Sequence, residues 1–449
     1  MRARVLGHYL AARRRVAPDH FRDRAALEAH QLRLLRRVLA RAPRRYAYYA
    51  DLGTGPAGRP AELSDLPVLD KPDVLRHFAG LNRRGLSLAE CLAAARAAET
   101  GRDFTTTLGG LSVGLSSGTS GQQTAFLTSP AERDRWAGEV LARALPRGLL
   151  AGARVTLVLR AGGPLYESVD GGRVSFSFVD LALPPDRLVA SVVAARPTVL
   201  VAPPSVLRMV AREWGGRPAP ERVLSAAEVL EPADAAEITA GLGVRVDQVY
   251  QAAEGFLGMS CREGTLHLAE DLVLVEREPG GDGWNRRDDG DDGEDGEDGR
   301  FVPVVTDLVR SSQAVLRRRL GDVLVPGTCG CGDVRLAVRE IVGRSDDALL
   351  LPRADDPATR APFYPDFVRA AVLAAPGVAD FRVVQEADDA GGPAGPLVRL
   401  AVEPRETFDA AAASLRERIG RAGLVPPTIV PMAFEPHDRL RKLRRVRRA

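Results

Sequence analysis

The sequence predicts an α/β protein, with a large multi-layer α/β N-terminal domain that starts with a helical segment and a small α+β C-terminal domain. From residue 110 onward, short apolar or β-branched runs alternate with helical stretches rich in Ala, Leu and Arg, which is typical of layered α/β cores. The chain has 449 residues, 45% hydrophobic and 27% charged, enough to bury a sizeable core. Near residue 344 the pattern changes, so we expect domains at 1–343 and 344–449.

The first fifty residues predict helix, because leucines across 27–39 recur at helical spacing among arginines, whose basic face we interpret as solvated. Residues 51–73 have the Pro/Gly content of a loop, and helical spacing resumes over 86–99. Further helices are expected at Pro130–Leu145 (with Ser129 as N-cap), Pro185–Ala195, Ala233–Gly241 and Ala410–Ala422. Strands are expected at Val155–Leu159, Val174–Phe178, Thr198–Ala202, Val244–Val249, Leu272–Glu276, Phe381–Gln385 and Leu397–Val402.

Residues 279–300 are a low-complexity segment in which nine acidic side chains lie among glycines. Such a run repels itself and buries nothing, so it predicts a disordered surface loop. A calcium-binding loop would need its carboxylates at EF-hand spacing, which this segment lacks.

Composition argues against several classes of protein. The net charge is only +3, so nucleic-acid binding is a poor expectation. No apolar stretch approaches 18 residues, so no membrane span is expected. The N-terminus lacks the apolar core of a signal peptide, and four cysteines do not make a disulfide scaffold, so a cytoplasmic location is expected.

Only two of the 62 basic residues are lysines, Lys71 and Lys442. Lysine and arginine are not interchangeable at a chemical site, so a lysine in an arginine-rich chain is a candidate for a specific role. Chance survival under the composition bias is the alternative, and the sequence leaves both open.

The most informative stretch is Gly-Leu-Ser-Ser-Gly-Thr-Ser-Gly at 114–121. Glycines let backbone N–H groups converge and hydroxyls add donors, which together can bind a phosphate, although a linker can look similar. No lysine follows, because Gln122 stands there, so this is not a Walker loop. The residues expected to contact phosphate are Ser116, Ser117, Gly118, Thr119, Ser120 and Gly121.

The same stretch contains Gly-x-Ser-x-Gly centred on Ser116, which is similar to the nucleophile elbow of serine hydrolases. That chemistry would need a later histidine, and only His267 and His437 remain. A serine hydrolase is therefore kept as an alternative.

Several polar residues follow strand-like runs further along the chain. Tyr250 at a strand end can stack on a purine, and Glu254 can hold Mg²⁺ through a carboxylate oxygen. Asp322 can accept both hydroxyls of a ribose, to which Arg344 can add a donor. Each of these residues is ordinary when taken alone.

Three of the four cysteines and one histidine fall in two short clusters, C-x5-H and C-x-C. Their thiolate and imidazole ligands suit tetrahedral Zn²⁺ in a closed, structural site, while buried small apolar residues are the alternative. The predicted ligands are Cys261, His267, Cys329 and Cys331.

Taken in order, these segments resemble the acyl-adenylate-forming (ANL) superfamily, and more closely its phenylacetate–CoA ligase branch with the uncharacterised adenylate-forming relatives of that branch. The loop at 116–121 matches the family's phosphate loop, and 250–255 matches Tyr-x-x-Thr-Glu-Gly. Residues 313–322 resemble Gln-Pro-x-x-Arg-Tyr-Arg-x-Gly-Asp, and 343–347 match the family's hinge. The resemblance covers most of the chain, and the motifs are specific as a set.

The resemblance implies a role for each matched residue. Tyr250 would stack on adenine, Glu254 would serve Mg²⁺, and Asp346 would be the hinge of a C-terminal lid. Lys442 would bridge the substrate carboxylate and the α-phosphate, balancing charge in the transition state. The residues implied to bind ATP outside the phosphate loop are Ala227, Glu228, Tyr250, Gln251, Asp322 and Arg344.

Four positions depart from the family's pattern. Gln122 stands where the phosphate loop has lysine, Ala253 replaces threonine, Ala314 replaces proline, and Arg318 replaces tyrosine. These departures keep a catalytically degenerate nucleotide-binding relative open as a second alternative.

The function implied is an ATP- and Mg²⁺-dependent ligase that activates a small carboxylic acid as an acyl-AMP. The acyl acceptor is CoA, a carrier protein or an amine, and a homodimer is possible. Aromatic and apolar residues near the motifs are candidates for the acyl pocket or for the core, namely Trp136, Tyr166, Phe178, Phe256 and Met259.

Overall fold

A computed structural model describes residues 3–50, 62–115, 123–160, 173–279, 299–386, 396–435, 437 and 443–449. Its helices are α1 (Ala3–Arg15), α2 (Arg24–Arg45), α3 (Lys71–Arg76), α4 (Leu88–Gly101), α5 (Pro130–Ala144), α6 (Pro185–Ala195), α7 (Pro204–Arg212), α8 (Pro232–Leu242), α9 (Pro365–Leu373) and α10 (Phe408–Arg421). Within these ranges, no helix combines the length and the apolar character needed to cross a membrane.

The strands form four sheets. A small antiparallel sheet contains β1 (Thr107–Leu108), β2 (Leu111–Leu115) and β3 (Ala125–Thr128). The large sheet contains β4 (Ala153–Leu159), β5 (Val174–Asp180), β6 (Val199–Ala202), β7 (Arg222–Ser225), β8 (Val246–Ala252), β9 (Gly255–Ser260), β10 (Leu266–Leu268), β11 (Val273–Pro279), β12 (Phe301–Asp307), β13 (Arg318–Arg319), β14 (Asp322–Gly327) and β15 (Ala337–Arg344). The last two sheets contain β16 (Leu349–Pro352) with β17 (Arg360–Phe363), and β18 (Asp380–Gln385), β19 (Leu397–Glu403), β20 (Thr428–Pro431) and β21 (Val446–Arg448).

The large sheet is parallel along one half, in the order β5-β4-β6-β7-β8, and antiparallel along the other, in the order β9-β10-β15-β14-β12-β11. Adjacent residues of the parallel strands enter different cores, because side chains alternate between the faces of a strand. Val199 packs in the core with α1 and α5, whereas Leu200 packs in the core with α6, α7 and α8. The result is the layered α/β architecture that the sequence predicts.

The C-terminal residues build a second core. The sheet β20-β19-β18-β21 packs with α9 and α10, and helix and sheet side chains such as Phe367 and Val383 are buried together. Three valines of β14 and β15, Val323, Val325 and Val342, belong to the same core. The C-terminal elements therefore rest against the back of the β14–β15 hairpin.

Most predicted elements are observed within a few residues of their expected bounds. The predicted N-cap Ser129 accepts a hydrogen bond from the Glu132 N–H and begins α5 as part of a capping box. The predicted loop 51–73 is wrong at its end, because Lys71 begins α3 after the N-cap Asp70.

The predicted disordered loop at 279–300 also needs correction at both ends. Pro279 pairs with Phe301 in the β11–β12 ladder. Arg300 is buried and forms an ion pair of 3.0 Å with Asp366. Its burial follows from its position, because the next residue, Phe301, begins β12. Residues 280–298 lie outside the described part of the chain.

A buried acidic pair after β10 joins elements that are far apart in sequence. The carboxylate of Asp271 is fully buried and accepts from Arg143 of α5 (2.8 and 2.7 Å), from Arg335 (3.2 Å) and from Arg15 of α1 (3.2 Å). Burial alone would raise the pKa of Asp271, but Arg143 and Arg335 hold it well below its usual value. Glu270 binds Arg24 of α2 through two contacts of 2.6 Å.

We predict that Asp271→Asn destabilises the fold by about 3–5 kcal/mol, because it leaves three guanidinium groups without their shared buried anion. The shift of the thermal unfolding midpoint measures this. Asp355→Asn is the matched control, since Asp355 pairs with Arg353 at an exposed site, and it should cost at most about 1 kcal/mol. Equal midpoints for the two variants would contradict the prediction.

Candidate active site

A cleft of about 2260 Å³ lies next to β8 and β9, the strands at which the parallel half of the large sheet meets the antiparallel half. Its walls come from the β2–β3 hairpin, α5, the parallel strands, the β8–β9 turn and the β14–β15 hairpin. The C-terminal residues Arg447, Arg448 and Ala449 also line it. One cleft thus collects segments from most of the chain.

Tyr250, Asp322 and Arg344 meet at one corner of this cleft. Asp322 and Arg344 are directly paired across β14 and β15, and the Tyr250 hydroxyl donates to Asp322 Oδ2 at 2.8 Å. Tyr250 is buried beneath the cleft, and burial together with Asp322 raises the pKa of its hydroxyl. The predicted stacking of Tyr250 on adenine stays a prediction, since the contact observed is the one to Asp322.

Two backbone features fix this corner. The Ser345 N–H donates to the Gly321 carbonyl at 2.7 Å, which ties the end of β15 to the start of β14. A Cβ at Gly321 would lie 2.5 Å from Arg344 Nη2, so a larger residue there would displace that guanidinium from its observed position. Arg344 also contacts Asp346, the predicted hinge residue, at 3.3 Å. The next residue, Asp347, is buried and forms an ion pair with Arg444.

Glu254 lies in the tight turn between β8 and β9 and lines the cleft together with the predicted residue Gln251. Arg310 braces the turn by donating to the Ala253 carbonyl at 2.7 Å and the Glu254 carbonyl at 3.2 Å. The Glu254 carboxylate accepts from Arg318 at 3.3 Å. Main chain and side chain of Glu254 are thus both held by arginines.

The predicted adenine-side residues Ala227 and Glu228 also line the cleft. Ala227 has φ = 71°, a left-handed conformation uncommon for a residue with a side chain. Glu228 faces His437, with Oε1 and Nε2 3.7 Å apart. A turn from the large sheet and a segment near the C-terminus therefore face each other here.

The cleft also has an apolar region. Phe176 and Val201 line it from the parallel strands, with Val140 from α5. Of the candidates for the acyl pocket, Trp136 and Phe256 line the cleft.

Two other candidates do not line the cleft. Met259 is buried in the core, which is the alternative that the sequence left open, whereas Phe178 is 37% exposed and belongs to neither the cleft nor the core. Tyr166 lies outside the described residues.

Sequence reasoning missed Glu132, which lines the cleft at the start of α5. Its carboxylate accepts from the backbone N–H groups of Ser311 and, at 2.8 Å, Ser312, and from their hydroxyls. Burial opposes ionisation of Glu132, but hydrogen bonds lower its pKa to about 2, and the bond from the Ser312 side chain has the largest lowering effect. The Ser-x-x-Glu capping box that begins at Ser129 was the available signal.

Lys71 also lines the cleft, at the start of α3. Burial lowers its pKa, and the positive charge of Arg344 adds to that effect. The rarity of lysine in this chain was the only signal in the sequence that pointed to Lys71. Lys442 and the predicted phosphate loop, residues 116–121, lie outside the described part of the chain, so their roles stay predictions.

The four predicted zinc ligands come together at the other side of the sheet. Their ligand atoms all lie within 4.8 Å of one another. Cys261 Sγ is 3.6 Å from Cys329 Sγ, and Cys331 Sγ is 3.5 Å from His267 Nε2. Zinc–sulfur bonds of about 2.3 Å require ligand separations near these values in a tetrahedron.

The surroundings of the cluster also fit a metal. His267 Nδ1 lies 3.0 Å from the Arg335 carbonyl, which accepts its proton and leaves Nε2 free to bind an ion. Burial opposes ionisation of Cys329, but hydrogen bonds from Thr265, His267 and Cys331 lower its pKa to about 6. A lowered pKa favours the thiolate, which is the form in which cysteine binds zinc.

No protein-family model matches the chain, and no curated protein does. Among solved structures, 2-hydroxyisobutyryl-CoA ligase in the postadenylation state with 2-HIB-AMP matches at a TM-score of 0.64 and 18% identity, over 96% of this chain and 89% of that one. The same ligase with 2-HIB-AMP and CoA in the thioesterification state matches at 0.51 and 21%, over 94% and 89%. The GH3.15 acyl acid amido synthetase matches at 0.55 and 14%, over 91% and 86%. The chain thus has the fold of adenylate-forming enzymes.

We predict that the purified protein carries about one zinc ion per chain, measured by inductively coupled plasma mass spectrometry. Cys331→Ser should abolish that zinc, because a three-ligand remainder binds structural zinc poorly. Cys91→Ser is the matched control: Cys91 is also buried but lies outside the cluster, so its loss should leave the zinc content unchanged. A metal-free wild-type protein that folds normally would contradict the prediction.

Proposed function

We propose that this protein is an ATP-dependent ligase that activates a carboxylic acid as an acyl-AMP and passes the acyl group to a thiol or an amine. The observation that carries the proposal is the convergence of Glu228, Glu254, Asp322 and Arg344 on one cleft that also has an apolar region. These residues come from separate segments, and each occupies a position that the family resemblance assigns to nucleotide binding.

The corner at Asp322 suits a ribose. Tyr250 occupies Oδ2 of Asp322, which orients the carboxylate and leaves Oδ1 to accept from ribose hydroxyls. Arg344 stands beside it as a donor. Glu254 would hold Mg²⁺, which supplies neutralisation of phosphate charge when bound.

The apolar region of the cleft suits the substrate acid. Trp136, Phe176 and Phe256 offer aromatic surface, so an apolar aliphatic or aryl acid is favoured over a charged one. The carboxylate of that acid would attack the α-phosphorus in line and release pyrophosphate, with positioning as the protein's main contribution.

Lys442 is proposed to bridge the substrate carboxylate and the α-phosphate. Its described neighbours support this position: His437 faces Glu228, and Arg444 pairs with Asp347 beside the hinge. Both flanks of Lys442 therefore contact motif residues that line or adjoin the cleft.

We also propose that residues 344–449 turn about Asp346 between the two half-reactions. We use the term acidic face for three residues of the N-terminal part of the chain, Glu228, Glu231 and Asp234. All three face basic residues of the C-terminal part. His437 faces Glu228 at 3.7 Å, Arg369 pairs with Glu231, and Arg445 pairs with Asp234 at 3.3 Å, and all six residues belong to this contact. Such contacts would have to break before an acceptor could enter. The better match to the postadenylation state than to the thioesterification state agrees with this arrangement.

The acceptor is a thiol, of CoA or a carrier protein, or an amine. The CoA ligase and the amido synthetase share this fold, so the fold does not choose between these acceptors. Assignment to the phenylacetate–CoA ligase branch rests on the sequence motifs. Because Gln122 stands where the family's phosphate loop has lysine, a catalytically degenerate relative that binds nucleotide without turnover is the second candidate.

We expect acid-dependent ATP–pyrophosphate exchange across a panel of aryl and alkyl acids, and a loss of about 10²–10³-fold in Lys442→Ala, because a preorganised charge is removed from the transition state. Arg441→Ala is the matched control, with exchange near that of the wild type. ATP binding without exchange for any acid would favour the degenerate relative. Absence of ATP binding would refute the proposal.

We predict that neutralising two residues of the acidic face in the double variant Glu231→Gln/Asp234→Asn opens the protein, because Arg369 and Arg445 each lose one carboxylate across the contact, which leaves Arg369 with Glu340 alone. Each broken pair is expected to shift the equilibrium by about tenfold. Small-angle X-ray scattering should show a larger radius of gyration. Glu237→Gln is the matched control, because Glu237 pairs with Arg208 and Arg212 of a neighbouring helix. Equal radii for both would contradict the hinge.

A further inference from the structure

Three consecutive arginines follow the edge of the cleft, and only the middle one turns toward Glu254. Arg317 binds Glu276 through two contacts of 3.0 and 2.8 Å, and Arg319 binds Glu278 through two of 2.6 and 2.9 Å. Arg318 and Arg319 are consecutive residues of β13, where side chains alternate, so Arg318 points to the side opposite Arg319. It lines the cleft and is 7% exposed.

The backbone fixes Arg318 from two sides. It pairs with Val305 in the β12–β13 ladder. On its other side, the Leu69 N–H donates to the Arg317 carbonyl at 2.8 Å, and the Arg319 N–H donates to the Leu69 carbonyl at 3.0 Å. Backbone contacts on both sides therefore hold the strand that carries the Arg318 guanidinium.

The contact between Arg318 and Glu254 is a buried ion pair. Arg318 Nη2 lies 3.3 Å from Glu254 Oε1, and the two side chains are 8% and 17% exposed. Burial lowers the pKa of Arg318, an effect that Glu254 opposes. Among the described residues, Arg318 Nη1 has no hydrogen-bond partner, so Glu254 is the anion that compensates this buried cation.

This pair changes the charge that the cleft offers to a nucleotide. A carboxylate alone attracts Mg²⁺, whereas a carboxylate neutralised by a guanidinium at 3.3 Å attracts it less. Arg318 thereby places a guanidinium beside Glu254, the residue that the resemblance assigns to Mg²⁺. The chain lacks lysine at Gln122 but gains a cation at Arg318, where the family's pattern has tyrosine.

We propose that Arg318 is a positioning residue that holds Glu254 and supplies a fixed cation for the ATP phosphates, which makes nucleotide binding less dependent on Mg²⁺. This inference rests on the proposed function. Arg318 acts on the metal through Glu254 and takes over part of the charge that the lysine missing at Gln122 would have provided.

Arg318→Tyr is the informative variant, because it removes the cation and restores the residue of the family's pattern. Without Arg318, the Glu254 carboxylate is released to Mg²⁺. We expect the Mg²⁺ concentration for half-maximal ATP binding to fall about tenfold, and the affinity for ATP in EDTA to weaken about tenfold. The size of both effects follows from the effect of an opposite charge at this distance, which changes the proton affinity of a carboxylate about tenfold or more. Arg318→Lys keeps the charge and should stay within about threefold of the wild type.

Isothermal titration calorimetry of ATP binding to the full chain, in EDTA and across a Mg²⁺ series, measures both effects without turnover. Arg319→Tyr is the matched control, because Arg319 pairs with Glu278 instead of Glu254. Unchanged thermal midpoints establish that the variants fold, and Arg318→Gln, which also removes the cation, carries the comparison if Arg318→Tyr does not fold.

Opposite shifts for Arg318→Tyr, with the controls near wild type, support the inference. If a folded variant without the cation, Arg318→Tyr or Arg318→Gln, binds ATP as the wild type does both in EDTA and across the Mg²⁺ series, the inference is overturned while the ligase proposal stands. A wild-type protein that binds no ATP with or without Mg²⁺ overturns both.

Discussion

The buried carboxylates that follow β10 are the constraint on which the rest of the structure depends. Asp271 gathers arginines from α1, α5 and the loop that carries Cys331, so one anion joins the N-terminal helix, a wall of the cleft and the cysteine cluster. Arg335 serves twice, because its side chain binds Asp271 while its carbonyl fixes His267. A buried anion without these partners would be costly, so the elements must dock together.

The cleft follows from this docking. With α5 fixed by Arg143, the Trp136 face of that helix covers the parallel strands and closes the apolar region. Elsewhere in the cleft, the hydrogen bond from the Tyr250 hydroxyl to Asp322 joins β8 to the β14–β15 hairpin, and Glu254 and Asp322 line the same space. The architecture thus places an apolar region beside a set of polar and charged side chains, an arrangement that the proposed function requires.

Arginine performs most of the charge chemistry here. It braces the turn at Glu254 through Arg310 and Arg318, and it meets the acidic face through Arg369 and Arg445. Guanidinium groups keep their charge when buried and bind carboxylates through several donors, which suits these sites. The consequence is a cleft whose electrostatics come from fixed ion pairs, with Lys71 as the described lysine that lines it.

The sequence by itself determined the α/β layering, most helices and parallel strands, and the four members of the cysteine cluster, because periodicity and residue chemistry are local properties. Tertiary structure alone decided that Tyr250 binds Asp322, that Glu132 is held by Ser311 and Ser312, and that Arg318 faces Glu254. Those contacts join residues 64 to 180 positions apart. No local pattern encodes them, because they arise only when separately formed elements share one buried volume.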